Sequence, residues 1–373
     1  MRKSASEALC DVGIIGGGLI GTSIAVHLAR AGRRVILVEQ AELAAGASGA
    51  SFGWAAANFA SYMPHFPRFH MRFLRAALEA FRSWAEPLGD AIGFRASGGM
   101  TLIYSKTDLD DHHRLSQILR SEQVQVEVLS RGDVLEREPW ISGPYLGAVW
   151  SPMDVLADPV LLVRQFAEAA TRHGAQIRTG TAATGLVLDG GRVRGILTRD
   201  GQIRCEAVVN AAGVQAPAVG EWAGIRIPIR PDRGQQVLLE RTSPVLGAAV
   251  YGRIPAAQVA AGHILLGGVR EDVGLDRRVT IEGLGLICRE AAEMIPPARS
   301  LNVERTFAGL RPVPLDGLPI LGPAPGVAGL ILANLHAGFT LSVFVGALIT
   351  ELITTGRIPT LMEPYGLGRF ASR

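Results

Sequence analysis

Cysteine is scarce: Cys10, Cys205 and Cys288 stand far apart in 373 residues, odd in number and without a CxxC or a neighbouring histidine pair. That pattern supports neither a disulfide framework nor a zinc site, and it fits a reducing compartment. No metal is expected. Lysine is scarcer still, with only Lys3 and Lys106, and the arginines are scattered with no basic run or interleaved aromatic stripe. The pI near 9 therefore does not mark a nucleic-acid surface. Long apolar runs are also missing. Val12 to Ile15 enters a glycine loop, where a leader would need a longer apolar core and a small-residue cleavage site. Gly326 to Ile353 contains Asn334, His336 and Glu351, and glycines divide it into a strand, a turn and a helix. A soluble, cytoplasmic protein without a transmembrane segment is expected.

Glycine, by contrast, is abundant. The chain has 45 glycines, with 48% hydrophobic residues and a net charge of only +3, against a usual glycine share of about 7%. No Gly repeats at every third position, which excludes collagen, and the apolar fraction excludes disorder. The length predicts two domains, each with its own core.

Along the chain, Asp11 to Ile15 reads as a buried strand, Gly16 to Gly21 as a turn, Thr22 to Ala31 as a helix capped by Gly32, and Arg34 to Glu39 as a second strand. This is a βαβ unit. Further on, Phe69, Phe73, Leu74, Leu78, Phe81 and Trp84 recur at helical spacing in a region opening near Asn58, and are expected in a core. Asp158-Pro159 starts a helix that Gly174 ends. Leu186 to Cys205 reads as hairpins leading into Ala207 to Val209. From Ile225 to Leu310 the sequence predicts strands, such as Gln236 to Leu239 and Ile264 to Leu266, with one helix at Ile281 to Met294. A proline-rich loop after Arg311, a strand at Gly329 to Ala333 and a helix at Thr340 to Thr354 complete the pattern.

Gly16-Gly17-Gly18-Leu19-Ile20-Gly21 contains GxGxxG between a strand and a helix. Gly16 permits the tight turn, Gly18 lets a pyrophosphate approach the backbone, and Gly21 lets the helix lie close to the sheet. The helix N-terminus then offers N–H groups and partial positive charge to phosphates. Glu39 ends the second strand, where it would accept hydrogen bonds from ribose hydroxyls and repel a 2′-phosphate, which disfavours NADP. Gln40 follows it. The motif alone does not decide between NAD and FAD.

Five segments carry a resemblance that does: Gly16 to Glu39, Gly46-Ala47-Ser48-Gly49, Val208-Val209-Asn210-Ala211-Ala212-Gly213, Pro231-x-Arg233-Gly234-Gln235 and Gly309-Leu310-Arg311-Pro312. In that order they resemble the FAD-dependent D-amino acid oxidase, glycine oxidase and sarcosine oxidase family across nearly the whole chain. The resemblance implies a Rossmann-like α/β FAD-binding domain of the glutathione-reductase type, and a second α+β substrate domain built on an antiparallel sheet. The first is expected at 8–60, 145–215 and 305–360, the second at 61–144 and 216–304. It further implies that Ser48 and Gly49 serve the pyrophosphate, that Gly53 and Trp54 pass the flavin ring, that Ala183 touches adenine through its backbone, and that Ala212 and Gly213 close over the cofactor. Gln215 stands where the family often has an aromatic.

Leu315 to Gly322, followed by Asn334-Leu335-His336-Ala337-Gly338-Phe339-Thr340-Leu341, resembles the family's flavin-ring segment. The helix starting there would turn its free N–H groups and positive end toward the flavin, where negative charge develops on reduction. His336 reads either as a flavin-side residue or as a satisfied buried histidine. The resemblance places Arg311 where the family binds the substrate carboxylate, a fork-to-fork match. Its alternative is a structural salt bridge. Tyr251 reads as a pocket tyrosine or a plain strand tyrosine, and Arg253 is a weaker second candidate. The implied chemistry is oxidation of a neutral amine at its alpha carbon by hydride transfer to flavin N5, then hydrolysis of the imine to an oxo acid.

The cysteine or histidine that anchors flavin covalently in some members has no counterpart near the expected loops, so non-covalent FAD is expected. Lys3 and Lys106 also lie outside the segments where sarcosine oxidases place their oxygen-activating lysine. Gly274 to Thr280, with Ala308 to Pro319, is most similar to FAD-bearing subunits of opine, hydroxyproline and cyanide-forming glycine dehydrogenases, which pass electrons to partner subunits. Two readings stand: a self-sufficient amine oxidase using oxygen, and a catalytic subunit of an electron-transfer complex. A third, of another class, is a nucleotide-binding module without catalysis.

Overall fold

The computed structural model describes residues 8–56 and 67–371. In chain order the elements are β1 (Ala8–Leu9), β2 (Val12–Ile15), α1 (Leu19–Arg30), β3 (Val35–Val38), β4 (Trp54–Ala55), α2 (Arg68–Ala85), β5 (Gly99–Ile103), α3 (Lys106–Ser121), β6 (Glu127–Ser130), α4 (Arg131–Arg137), β7 (Gly147–Ser151), β8 (Val155–Leu156) and α5 (Pro159–Arg172). Then follow β9 (Gln176–Arg178), β10 (Ala183–Asp189), β11 (Arg192–Thr198), β12 (Gly201–Arg204), β13 (Ala207–Asn210), α6 (Ala216–Glu221), β14 (Ile229–Arg241), β15 (Ala249–Tyr251), β16 (Pro255–Gln258), β17 (His263–Gly267), α7 (Ile281–Met294), β18 (Val303–Pro314), β19 (Ile320–Pro323), β20 (Leu330–Asn334) and α8 (Gly338–Thr355). They divide into two units. One holds the described residues up to Gly49, Pro159–Asp232 and those from Leu310 onward; the other holds Ala50–Asp158 and Arg233–Gly309.

The boundaries differ from the expected ones for identifiable reasons. Residues 145–158 carry β7, which pairs with β5 and β6, so they belong to the second unit rather than the first. Residues 216–232 carry α6, whose Val219 is buried in the core of the first unit.

In the first unit, a six-stranded sheet runs in the order β19-β20-β13-β2-β3-β9, parallel except for β19. Val-Gly-Ile-Ile in β2 and Val-Ile-Leu-Val in β3 are buried on both faces, as continuous apolar runs in parallel strands require. Ile15, Ile36 and Val38 pack with Leu186, Val193, Ile196 and Ile203 of the four-stranded sheet β1-β12-β11-β10. Ile14 faces α1. That helix starts at Leu19, inside the expected turn, and Gly32 ends it with φ +77°.

α8 packs against α1. Among the described residues it is the helix long and apolar enough to cross a membrane, and 56% of it is buried within the fold. It begins two residues before the expected Thr340. A Cβ at Gly346 would meet Ser23 Oγ at 2.4 Å and His27 Nδ1 at 2.7 Å, so glycine lets the two helices close. His27 Nδ1 lies 2.7 Å from the Ser23 carbonyl. Burial, reinforced by Arg30 and opposed by that hydrogen bond, holds the His27 imidazole below its ordinary pKa. The unfolded chain thus takes up the proton first: stability is full above the ordinary value and is lost as pH falls below it. Moving from about pH 7.5 to about pH 5.5, a range spanning the ordinary histidine value, should lower the Tm of the native protein more than that of His27→Asn. Equal losses, read by calorimetry, would overturn this.

The second unit is built on an eight-stranded sheet ordered β18-β14-β17-β16-β15-β5-β7-β6. It is not wholly antiparallel, because β15 runs parallel to β5. Beneath it Val237, Leu239, Val250, Ile264, Ile287 and Met294 share one core. In α2, Phe73, Leu74, Leu78 and Phe81 are buried as the helical spacing predicts, but Phe69 is 37% exposed. In that first turn His70 and Met71 take the buried positions. The start of the expected helical region at Asn58 lies outside the described residues. The proline-rich loop expected after Arg311 is in fact strand to Pro314.

Candidate functional site

The first unit gathers the glycine-rich turn, the end of β3 and the loop after it. Gly16 has φ +117°, and a Cβ there would meet the Ala211 carbonyl oxygen at 2.4 Å. At Gly21 a Cβ would stand 1.9 Å from the Gly16 oxygen, so both positions tolerate only hydrogen. Gly18 is the N-cap of α1, has no side chain to cap with, and lies where a Cβ would be 2.7 Å from Ser48 Oγ. The Leu19 N–H donates to that hydroxyl at 3.0 Å. No acidic residue occupies the first turn. A helix N-terminus walled by glycine, with no acidic residue in its first turn, is what a phosphate group fits.

Glu39 closes the other side. Its Oε2 accepts the Gly17 N–H at 2.8 Å and its Oε1 the Ala41 N–H at 2.9 Å. The loop after β3 is tied back by the Ala44 N–H on the Gly17 carbonyl, and Gly49 donates to Ala44, where a Cβ would meet that oxygen at 2.4 Å. Gln40 is exposed. Thr181 donates its N–H to the Glu39 carbonyl, which brings the start of β10, with Ala183, to this end of the sheet.

Two residues that the sequence reading did not single out for the site organise the next strand ends. Asn210 and Asn334, at the C-terminal ends of β13 and β20, are 0% and 1% exposed. Asn210 accepts the Ala212 N–H at 3.2 Å and donates to the Ala216 carbonyl at 3.0 Å, while Asn334 donates to the Asn210 carbonyl at 3.0 Å. Their signal was a polar residue ending an apolar strand just before small residues. Gly213, with φ +56°, follows directly. Beyond it Gln215 is exposed, its N–H on the Ala212 carbonyl.

The N-terminus of α8 lies against that of α1: a Cβ at Gly338 would be 3.6 Å from the Ile20 side chain. Its N-cap, Ala337, is left-handed at φ +58° and makes no side-chain cap bond, and again the first turn holds no acid. Phe339, Thr340 and Leu341 are buried, so their side chains belong to the core. His336 is half-buried. Arg311 on β18 makes an ion pair, its Nη1 3.4 Å from Oδ1 of Asp232, with the two side chains 28% and 2% exposed.

The remaining candidates belong to the second unit. Gly53 is left-handed at φ +74°, and its carbonyl accepts the Ala157 N–H at 2.9 Å. Trp54 donates through Nε1 to the buried Asp154 at 2.9 Å and lies over Gly99, which pairs with Ala249 two places before Tyr251. At Gly309 a Cβ would meet Ala50 Cβ at 2.4 Å. Arg253 pairs with Glu290 and Glu293 of α7 and lies over the Tyr104 ring. The Arg233-Gly234-Gln235 segment is also structural. Arg233 holds Glu271 in a two-pronged bond of 2.9 and 3.1 Å, and Gln235 donates to Glu271 and to Thr280, pinning the loop between them. That bond holds the Glu271 carboxyl below its ordinary pKa. Cys10 and Cys205 are both buried in the first unit and carry free thiols, as does Cys288 on α7.

A family model described as "DAO: FAD dependent oxidoreductase" matches residues 11–352. Among characterised proteins, the chain is 31% identical to hydrogen cyanide synthase subunit HcnC of Pseudomonas aeruginosa, over 96% of each chain. It is 30% identical to glycine oxidase of Geobacillus kaustophilus over 96% of this chain and 97% of that one. The crystal structure of the Geobacillus enzyme superposes with a TM-score of 0.90 over 97% of this chain and 99% of its own. L-proline dehydrogenase from P. horikoshii superposes at 0.92 with 25% identity, covering 98% and 99%.

Proposed function

The chain belongs to the DAO family of FAD-dependent oxidoreductases and is an enzyme, and from that premise we propose that it oxidises the alpha carbon–nitrogen bond of an amino acid or secondary-amine acid. The observation that carries the reading is the pair of helix N-termini, α1 and α8, neither with an acid in its first turn, meeting at Ile20 and Gly338, in the unit that also bears Arg311. Membership of an enzyme family sets aside the non-catalytic module.

The residues fit the cofactor. Gly16, Gly18, Leu19, Ile20 and Gly21, with Ser48 and Gly49, would hold the pyrophosphate against the α1 dipole. Glu39 would accept the adenosine ribose hydroxyls, with the Ala183 backbone beside adenine and Ala212 and Gly213 closing over the dinucleotide. The backbone from Ala337 to Leu341 would face the flavin with the positive end of α8. Gly53, Trp54, Gly309 and Tyr251 lie in the second unit. FAD is held without a covalent bond in this reading, because neither the cysteine nor the histidine that anchors it in some family members has a counterpart in those loops. When bound, FAD supplies a two-electron acceptor. Arg311 would hold the substrate carboxylate in parallel hydrogen bonds and so orient the alpha carbon. Water then separates the imine into an oxo acid and an amine.

A second reading is favoured by the similarity to a protein named as a subunit, over 96% of both chains: electrons leave to a partner rather than to oxygen. One experiment addresses both. The purified holoenzyme is mixed anaerobically with D-amino acids, N-methyl amino acids, proline derivatives and opines, and loss of the flavin colour is followed. Bleaching by at least one amine acid is expected, and bleaching by none would sink the proposed substrate class. Readmitting oxygen separates the two readings: peroxide supports the oxidase, and reoxidation only by an added dye supports the subunit.

A further inference from the structure

Cys10 and Cys205, far apart in the sequence, come together in the first unit. β1 pairs in parallel with β12, Ala8 opposite Ile203 and Leu9 opposite Arg204. The next step of that register sets Cys10 opposite Cys205, and the Cys10 N–H donates to the Arg204 carbonyl at 3.0 Å. Neighbouring strands lie about 4.8 Å apart, inside the range of about 4.4 to 6.8 Å that separates the α-carbons of a disulfide. Both side chains belong to one core, 2% and 6% exposed. The Cys205 thiol donates to the Cys10 sulfur, which lowers the pKa of Cys10 and raises that of Cys205. One sulfur is thus favoured as thiolate and its neighbour as thiol, the division of labour that disulfide chemistry uses.

A short edge strand opens the pair to solvent. β1 has two residues, stands at the edge of its sheet and leaves Leu9 63% exposed. Asp11, the next residue, is held separately: its N–H donates to the Arg34 carbonyl at 2.9 Å, its carboxylate accepts the Arg34 N–H at 2.8 Å and pairs with the Arg34 guanidinium. β1 can therefore leave β12 while β2 stays in the central sheet, and that local opening carries Cys10 into water. We propose that Cys10 and Cys205 are a peroxide-responsive redox pair, which closes to a disulfide tying β1 to the residue between β12 and β13. Hydrogen peroxide is the oxidant. The Cys10 thiolate attacks one peroxide oxygen, the O–O bond breaks, and the departing hydroxide leaves as water with the Cys10 proton. The Cys205 sulfur then attacks the Cys10 sulfenic sulfur and expels its hydroxyl as a second water with the Cys205 proton. Two thiols and one peroxide give one disulfide and two waters, with two electrons passing from sulfur to oxygen. A dithiol reductant reverses the bond by exchange.

The test is thiol mapping of the native holoenzyme. It is treated with hydrogen peroxide, quenched with catalase, unfolded and alkylated, and its peptides are identified by mass. Cys10 and Cys205 should escape alkylation and appear joined to each other, and both should alkylate after dithiothreitol. The joined form closes a long loop of the unfolded chain, so its Tm should lie about 5 °C or more above that of the reduced form. In Cys205→Ala the peroxide-treated Cys10 has no thiol to resolve it and should be trapped as sulfenic acid by dimedone. The exposed Cys288 serves as the internal control for oxidant dose. If Cys10 and Cys205 both remain alkylatable at a dose that oxidises Cys288, the redox pair is overturned. Oxidation of Cys10 to sulfinic acid in the native protein, with Cys205 still a free thiol, overturns it equally. Should Cys205→Ala fail to fold, the mapping of the native protein decides by itself.

Discussion

Arg311→Ala should lower kcat/KM for the amino-acid substrate about 10²- to 10³-fold while FAD stays bound. An arginine–carboxylate fork supplies two charge-assisted hydrogen bonds, each about twice as strong as a neutral one. Losing both without a replacement costs about 3–4 kcal/mol, because each 1.4 kcal/mol is a factor of ten. The loss should fall mainly on KM if the fork binds substrate and transition state alike, and on kcat if it holds the alpha carbon in reacting position. Arg311→Lys should recover part of the affinity but little of the orientation, since an ammonium cannot reproduce the planar fork. Removing Arg311 also leaves the carboxylate of Asp232, 2% exposed, without this counter-charge, so a lowered Tm is expected alongside. Steady-state kinetics normalised to flavin content read the first effect and calorimetry the second. Unaltered turnover in a flavin-loaded variant would remove Arg311 from the substrate site.

Gly21→Ala should abolish FAD loading and destabilise the first unit by about 2–4 kcal/mol. The added Cβ would stand 1.9 Å from the Gly16 carbonyl oxygen, and a backbone atom cannot rotate aside as a side chain can. Gly16 cannot yield either. At φ +117° it is wedged where its own Cβ would meet the Ala211 oxygen at 2.4 Å. α1 must therefore tilt off the sheet, carrying the Leu19 N–H away from Ser48 and opening the cradle. Gly46→Ala is the control. Gly46 stands in the loop that resembles the family's phosphate segment, yet a Cβ there meets nothing within 4 Å, so flavin content and Tm should stay near native. Normal flavin loading in Gly21→Ala would show that the close approach of helix and sheet is not what shapes the site.

These two residues differ in how far the sequence could speak for them. Gly21 was legible because its reason is local: a strand, a tight turn and a helix lie within twenty residues, and GxGxxG records the steric demand directly. The same holds for α5, opened by Asp158-Pro159 and followed by left-handed Gly174, and for the hairpins β10 to β12, where Gly190, Gly191 and Gly201 supply positive φ. α7 spans the predicted Ile281–Met294. Arg311 was legible only as a pair of alternatives. Its counter-ion is 79 residues away in the chain, and no spacing rule reaches that far.

Short-range sterics and period enforce the βαβ unit, the glycine cradle with Glu39 at its edge, and the helix and hairpin limits. The tertiary structure decided which distant groups meet. It paired Asn334 with Asn210 across 124 positions, engaged Arg253 with Glu290, spent Arg233 on Glu271, and set the buried Asp232 beside Arg311. It also placed residues 50–56, 145–158, 216–232 and 305–309 in units other than those expected. The physical reason is the same throughout. A turn or a cap is closed by neighbours in the chain, whereas strand partners, ion pairs and shared cores are fixed by which buried surfaces and charges satisfy one another once the sheets have formed.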